Sequence, residues 1–142
     1  MTGVEIRDAN AGDAPGLVGL IAQIGFSVDD CGVAERLGDL AAVGEPVIVA
    51  ESSGILVGML NWHVMPTIHR SRCVGRIVAL VVDEAARGQG IGTRLTAEAE
   101  QRMRMRGCEK LEVTSNLVLE RAHAFYERYG LERSSYRFAK NL

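Results

Sequence analysis

The chain has no surplus of charge of either sign. Its 16 Lys and Arg against 18 Asp and Glu leave −2 over 142 residues. With both signs spread along the chain, there is no electrostatic case for holding DNA or RNA, whose affinity rests on many phosphate contacts. A local positive pocket for one phosphate group remains compatible with that balance. Cysteine is scarce. Cys31, Cys73 and Cys108 stand far apart, with no Cys-x-x-Cys and no Cys/His cluster at metal-ligand spacing. Reduced thiols and no bound metal are therefore expected. No apolar run is long enough to cross a bilayer, and no charged start followed by an apolar stretch marks an export signal. Repeats, low-complexity tracts and interdomain linkers are missing too. The expectation is a cytoplasmic enzyme with neither nucleic acid nor membrane as partner, in one domain over residues 1–142. An apolar fraction of 47% is ordinary for a folded protein and argues against disorder.

What is present alternates between strand and helix signals. Val4–Arg7 reads as a first strand. Asp13 followed by Pro15 marks a helix start, Leu17, Val18, Leu20, Ile21 and Ile24 follow at helical spacing, and Gly25 ends the run. A second helix is predicted over Asp30–Val43, weakened by Gly32 and Gly38. Glu45–Glu51 and Ile55–His63 form an antiparallel hairpin across Ser52–Gly54. Arg76–Val82 is apolar almost throughout and predicts a strand buried on both faces. From about Gly90 to Arg106, Ile91, Leu95, Ala99 and Met103 step along one buried helical stripe, with Gly107 at the cap. Lys110–Thr114 predicts a strand, Glu120–Tyr129 a helix with Ala122, Phe125, Tyr126 and Tyr129 on its inner face, and Leu131–Phe138 a last strand. The predicted order is β-α-α-β-β-β-α-β-α-β.

The most informative segment runs from Val81 to Leu95, VVDEAARGQGIGTRL. An apolar strand leads through Gly88, Gly90 and Gly92 into an amphipathic helix. Glycine lets the backbone turn sharply and lets a ligand reach the amides. A helix start leaves about four N–H groups unpaired and carries partial positive charge, which suits an anion. The first turn, Gly90 to Arg94, holds no Asp or Glu, while Arg87 and Arg94 bring positive charge. A P-loop requires Lys followed by Ser or Thr after its last glycine, and Ile91 and Thr93 flank Gly92 instead. A dinucleotide fingerprint requires Gly-x-Gly-x-x-Gly directly after a strand. Here the third glycine comes one residue early and Asp83–Arg87 intervene.

Arg87-Gly88-Gln89-Gly90-Ile91-Gly92 resembles Arg/Gln-x-x-Gly-x-Gly, the coenzyme A loop of the GNAT superfamily of N-acetyltransferases. Leu80-Val81-Val82-Asp83-Glu84 resembles the strand and turn that precede it. A second likeness follows at Thr114-Ser115-Asn116 and Arg121–Leu131, where that family has a strand ending near an Asn and a helix carrying Ala-x-x-Phe-Tyr. Leu131 departs from the usual Phe. The likeness covers the chain from about Arg76 onward, and the first half agrees in element order.

The resemblance implies a mixed, mostly antiparallel central sheet flanked by helices, with acetyl-CoA as cosubstrate. It implies cofactor contacts from Leu80, Val81, Val82, Arg87, Gly88, Gln89, Gly90, Ile91, Gly92, Thr93 and Asn116. Main-chain N–H groups near Val81 and Val82 would polarise the acetyl carbonyl, in a V-shaped slot between that strand and the Lys110–Thr114 strand. Tyr126 is the candidate general acid for the leaving thiolate, or one more core-facing residue of its helix. Asn116 either bonds the pantetheine arm or caps a helix. His123 reads as an ordinary helix residue. A neutral amine attacks directly, so no nucleophilic Cys is required. The base is open among Glu51, His63, Asp83 and Glu84. The acceptor, expected to be a small-molecule amine, would lie between Gly25–Cys31 and Asn61–His63. Asp29 and Asp30 either attract it or cap the second helix, and Trp62 lines its pocket or belongs to the core. A non-catalytic module binding coenzyme A is the rival reading, and a homodimer through the C-terminal strand fits the family's habit.

Overall fold

The computed structural model describes residues 3–115 and 117–142. Nine regular elements follow one another as β1 (Val4–Asp8), α1 (Ala14–Ala22), α2 (Asp30–Ala42), β2 (Ile48–Ser52), β3 (Ile55–Met65), β4 (Val74–Val82), α3 (Ile91–Met105), β5 (Lys110–Val113) and α4 (Glu120–Tyr129), with short 3-10 turns at Ala11–Asp13 and Glu84–Ala86. The strands lie side by side in chain order in one sheet. β1 to β4 pair antiparallel, and β5 joins β4 in parallel after the α3 crossover.

Alternation along the strands divides the core into two layers. Ile48, Ala50, Leu60, Trp62 and Ile77 face α3, whose Ile91, Leu95, Ala99 and Met103 complete that layer. Val47, Val49, Met59 and Val81 face α1 and α2 and meet Leu17, Leu20, Val33 and Leu37. The four-residue stripe expected on α3 is thus the seam that fastens it to the sheet. α3 comes so near that a methyl on Gly75 would overlap Met103, with its Cγ 2.5 Å away.

Local capping explains the first helices. Asp29 accepts the Gly32 N–H at 2.6 Å and caps α2, so its carboxylate is engaged at the helix start. Asp13 precedes α1 without capping it by its side chain. Its carboxylate instead takes both Arg7 Nη atoms, at 2.8 and 2.9 Å, and the Asn10 N–H at 2.8 Å.

Two expectations are corrected. β4 is not buried on both faces: Val78 is 51% exposed, and Leu80 and Val82 are only half-buried. The cause is that β5 pairs with β4 only from Val74 to Ile77 and then leaves it. The predicted last strand, Leu131–Phe138, is not a strand. Tyr136 and Phe138 stand 82% and 92% exposed. A strand needs a paired neighbour for its main chain, and this segment has none among the described residues. It stands off β5 across an open groove of about 1300 Å³ lined by Leu111, Val113, Tyr126 and Tyr136. On α4, Ala122, Phe125, Tyr126 and Tyr129 are half-buried, and no residue of that helix is fully buried. No described helix is long and apolar enough to cross a membrane.

Candidate active site

The site begins where β4 loses its neighbour. Asn61 lies opposite Ala79 but Trp62 lies opposite Ile77, so Val78 is an extra residue and β4 bulges there. The last β4–β5 pair is Ile77 with Val113. Bulge and splay therefore coincide, and from Val78 to Val82 β4 has no paired neighbour on that edge among the described residues. Asp83 donates its N–H to the Val57 carbonyl at 2.8 Å. Main-chain groups alternate between the two edges of a strand, so Val81 turns its own toward β3, and Leu80 and Val82 turn theirs to the open edge. The Val81 side chain is buried under α1 and α2. Val81 thus supplies packing, and the free N–H groups expected near it belong to Leu80 and Val82.

The open edge leads directly into the glycine loop. Arg87 Nε donates to the Val82 carbonyl at 3.3 Å and draws the loop back onto the strand. Gly88 and Gly90 have φ of +80° and +79°, and nothing lies within 4 Å of a Cβ added to either. Left-handed backbone with open space above it needs glycine. α3 starts at Gly90 with no side-chain cap and no acidic residue in its first turn. The first helical bond runs from Arg94 N to Gly90 O, so the N–H groups of Ile91, Gly92 and Thr93 have no intrahelical acceptor. The Ile91 side chain is core, leaving its main chain for a ligand. Gln89 and Thr93 are exposed beside the loop. Arg94 is held at β1, where its Nη1 donates to Val4 O at 3.1 Å.

α4 closes the top of the slot. A Cβ on Gly92 would stand 3.4 Å from Phe125 and 3.6 Å from Val82 Cγ2, so these three residues meet at one point. Tyr126 follows, edge-on to Phe125 with ring centroids 5.5 Å apart, and lines the groove along β5. Burial pushes its phenol above the ordinary value of about 10, so it stays protonated at neutral pH. Tyr129 is pushed up to about 12, by burial first and then by its hydrogen bond to Glu100. Asn116 lies outside the described residues.

The four base candidates separate clearly. Glu51 is held by Arg7 at 2.6 Å, in a pocket that Gln23 and Asp83 also line. Asp83 accepts from Gln23 Nε2 at 2.7 Å, while Gln23 Oε1 takes the Glu84 N–H at 3.1 Å. Gln23, which no sequence pattern singled out, thereby ties the end of α1 to the loop approach. Glu84 is exposed in the turn. His63 differs: its Nδ1 lies 2.6 Å from Glu45 Oε1, and its side chain is 51% exposed. Trp62 is 2% exposed and donates to Pro46 O at 2.8 Å, so it is core. His123 is half-buried on α4.

A splayed strand edge running into bare amides at an uncapped helix start suits an extended cofactor that ends in phosphates. Together with a protonated phenol at the slot, this fits an acyltransferase that uses a coenzyme A thioester. Comparison with known proteins agrees. The family model described as acetyltransferase (GNAT) family matches residues 20–131. Over 141 residues the chain is 35% identical to the aminoalkylphosphonate N-acetyltransferase of Salmonella typhimurium, spanning 97% of this chain and 91% of that one. It is 30% identical over 122 residues to glucosamine 6-phosphate N-acetyltransferase 1 of Oryza sativa subsp. japonica, spanning 81% and 72%. The crystal structure of glucosamine-6-phosphate N-acetyltransferase from Arabidopsis thaliana shares the fold, with a TM-score of 0.87 over 97% of each chain at 22% identity. The chain belongs to the GNAT acetyltransferase family, and it is an acetyl-CoA-dependent acyltransferase.

Proposed function

We propose that this enzyme moves the acetyl group of acetyl-CoA to the primary amine of a small molecule carrying a phosphonate or phosphate group. The single observation that carries the cofactor half is the unpaired edge of β4 leading into the Gly88–Gly92 loop. The acceptor half is supported by two relatives, which are named for an aminoalkylphosphonate and for glucosamine 6-phosphate.

Acetyl-CoA supplies an acyl group already activated as a thioester. The amides of Gly88, Gly90, Gly92 and Thr93 would grip its diphosphate at the positive end of α3. Leu80 and Val82 would bond the pantetheine arm and polarise the acetyl carbonyl through their outward N–H groups. Tyr126 would give its proton to the departing sulfur as the C–S bond breaks, and Asn116 would steady the arm. The amine attacks directly, loses one proton and becomes the amide.

The same reading takes residues 1–142 as one domain, working in the cytoplasm as a homodimer without nucleic acid or membrane partner. Sedimentation velocity at micromolar concentration should show a two-chain species, and a single-chain species refutes the pairing. The decisive assay follows thiol release from acetyl-CoA with aminomethylphosphonate, glucosamine 6-phosphate, a plain alkylamine and a peptide N-terminus. The phosphorus-bearing amines should give the highest kcat/KM. Faster turnover of the peptide or the plain amine would overturn the acceptor class.

A further inference from the structure

One charged row crosses the α1/α2 face of the sheet just below the slot. Residues directly opposite on neighbouring strands share a face. His63 on β3 lies opposite Arg76 on β4, and Arg76 opposite Glu112 on β5, to which its guanidinium is bonded. Behind His63 stands Glu45, only 4% exposed, whose Oε2 also accepts the Val64 N–H at 3.0 Å. Arg106, bonded to the Gly44 carbonyl, and Cys108 also lie near Glu45. A carboxylate only accepts, so His63 Nδ1 carries the proton in that 2.6 Å contact. This leaves Nε2 as the ring nitrogen outside that contact, on a side chain that is half-exposed. Two residues along β3, on the same face, the Asn61 Oδ1 atom is buried with no partner among the described residues. Asn61 lies opposite Ala79, the residue after the Val78 bulge, and His63 opposite Arg76, two residues before the slot opens at Val78.

The geometry points to His63 as the group that takes the amine's proton, with Glu45 as its positioning residue and Asn61 Oδ1 as acceptor for a second amine hydrogen. This rests on the acetyltransferase reading above. A buried polar atom without a partner calls for an explanation, and an amine N–H supplies one. As the amine nitrogen forms its bond to the acetyl carbon, His63 Nε2 takes one of its protons. The C–S bond breaks, and the sulfur leaves with the proton that Tyr126 donates. The imidazolium and the phenolate then re-equilibrate through solvent, so the products are the amide and the free thiol.

His63 is half-exposed, so His63→Gln and His63→Ala are expected to fold. The test measures kcat against pH at saturating aminomethylphosphonate and saturating glucosamine 6-phosphate, with calorimetry of acetyl-CoA binding alongside. His63→Gln should lower kcat about 10²-fold, as removal of a general base does, and should abolish the acid limb of the profile. Acetyl-CoA affinity should stay within about twofold of the wild type, because the variant leaves the cofactor loop untouched. Imidazole added to His63→Ala should restore turnover. Glu45→Gln should shift the acid limb without abolishing it. If His63→Gln keeps the wild-type kcat and the acid limb, His63 is not the base and the acetyltransferase reading stands. If the wild type binds acetyl-CoA yet releases no thiol with either amine, the parent reading fails and this one with it.

Discussion

Tyr126 concentrates the chemistry of the leaving group in one hydroxyl. Its phenol is half-buried and held above the ordinary value by that burial. Tyr126→Phe keeps the edge-on contact with Phe125 and removes only the proton donor. The expected result is an approximately 10²-fold loss of kcat with unchanged acetyl-CoA affinity, measured by steady-state kinetics beside calorimetry. Unchanged turnover would return Tyr126 to plain packing. At this scale the sequence was readable where chemistry demands one residue type in one place. Gly88 and Gly90 could be picked out because left-handed backbone favours glycine. The Glu45–His63 pair was not, because those residues stand 18 apart and meet only through strand pairing. The same holds for Gln23, which reaches Asp83 from 60 residues away. The direction of the Val81 N–H is harder to read: the edge to which a residue turns its N–H follows from the partner strand, which composition does not reveal.

The elements followed their periodic patterns closely. The α3 stripe at Ile91, Leu95, Ala99 and Met103 is buried as its spacing implies, and Glu120–Tyr129 is a helix over the predicted residues. The failures lie where pairing, and not periodicity, decides. β4 reads as a doubly buried strand, yet it splays from β5 after four pairs and leaves Val78 exposed. Leu131–Phe138 has β-forming residues but only Tyr136 and Phe138 as an apolar pair on one side, too little to hold a strand beside β5. The closeness of α3 to the sheet yields a test. Gly75→Ala should lower stability by about 1–3 kcal/mol, the usual effect of overpacking, because the added methyl would overlap buried Met103. Urea unfolding should show a lower midpoint at constant slope. An unchanged midpoint would mean that α3 sits further from β4.

Across the whole molecule, one ion-pair cluster ties the first strand, the first turn and the hairpin together. Arg7 bonds both Asp13 and Glu51. The Arg7 guanidinium holds the Asp13 carboxyl below its ordinary value of 3.8, against a desolvation that pushes the other way. A carboxylate with a lowered folded pKa stabilises the fold above the unfolded value and loses that contribution as pH falls through the folded one. Asp13→Asn should therefore cost about 2 kcal/mol at pH 7, and the gap to wild type should narrow steadily below about pH 4. Thermal melts at pH 7, 4 and 3 measure it. A gap that does not change with pH would show that Asp13 acts through shape alone.

The account as a whole depends on main-chain amides of β4 and the glycine loop meeting coenzyme A. The most direct measurement follows backbone amide resonances as CoA is added to the isotope-labelled chain. Leu80, Val82, Gly88, Gly90, Gly92 and Thr93 should shift together and saturably, while amides in β1 and α2 stay in place. A spectrum in which the loop amides remain still, or in which shifts gather elsewhere on the molecule, would contradict the account.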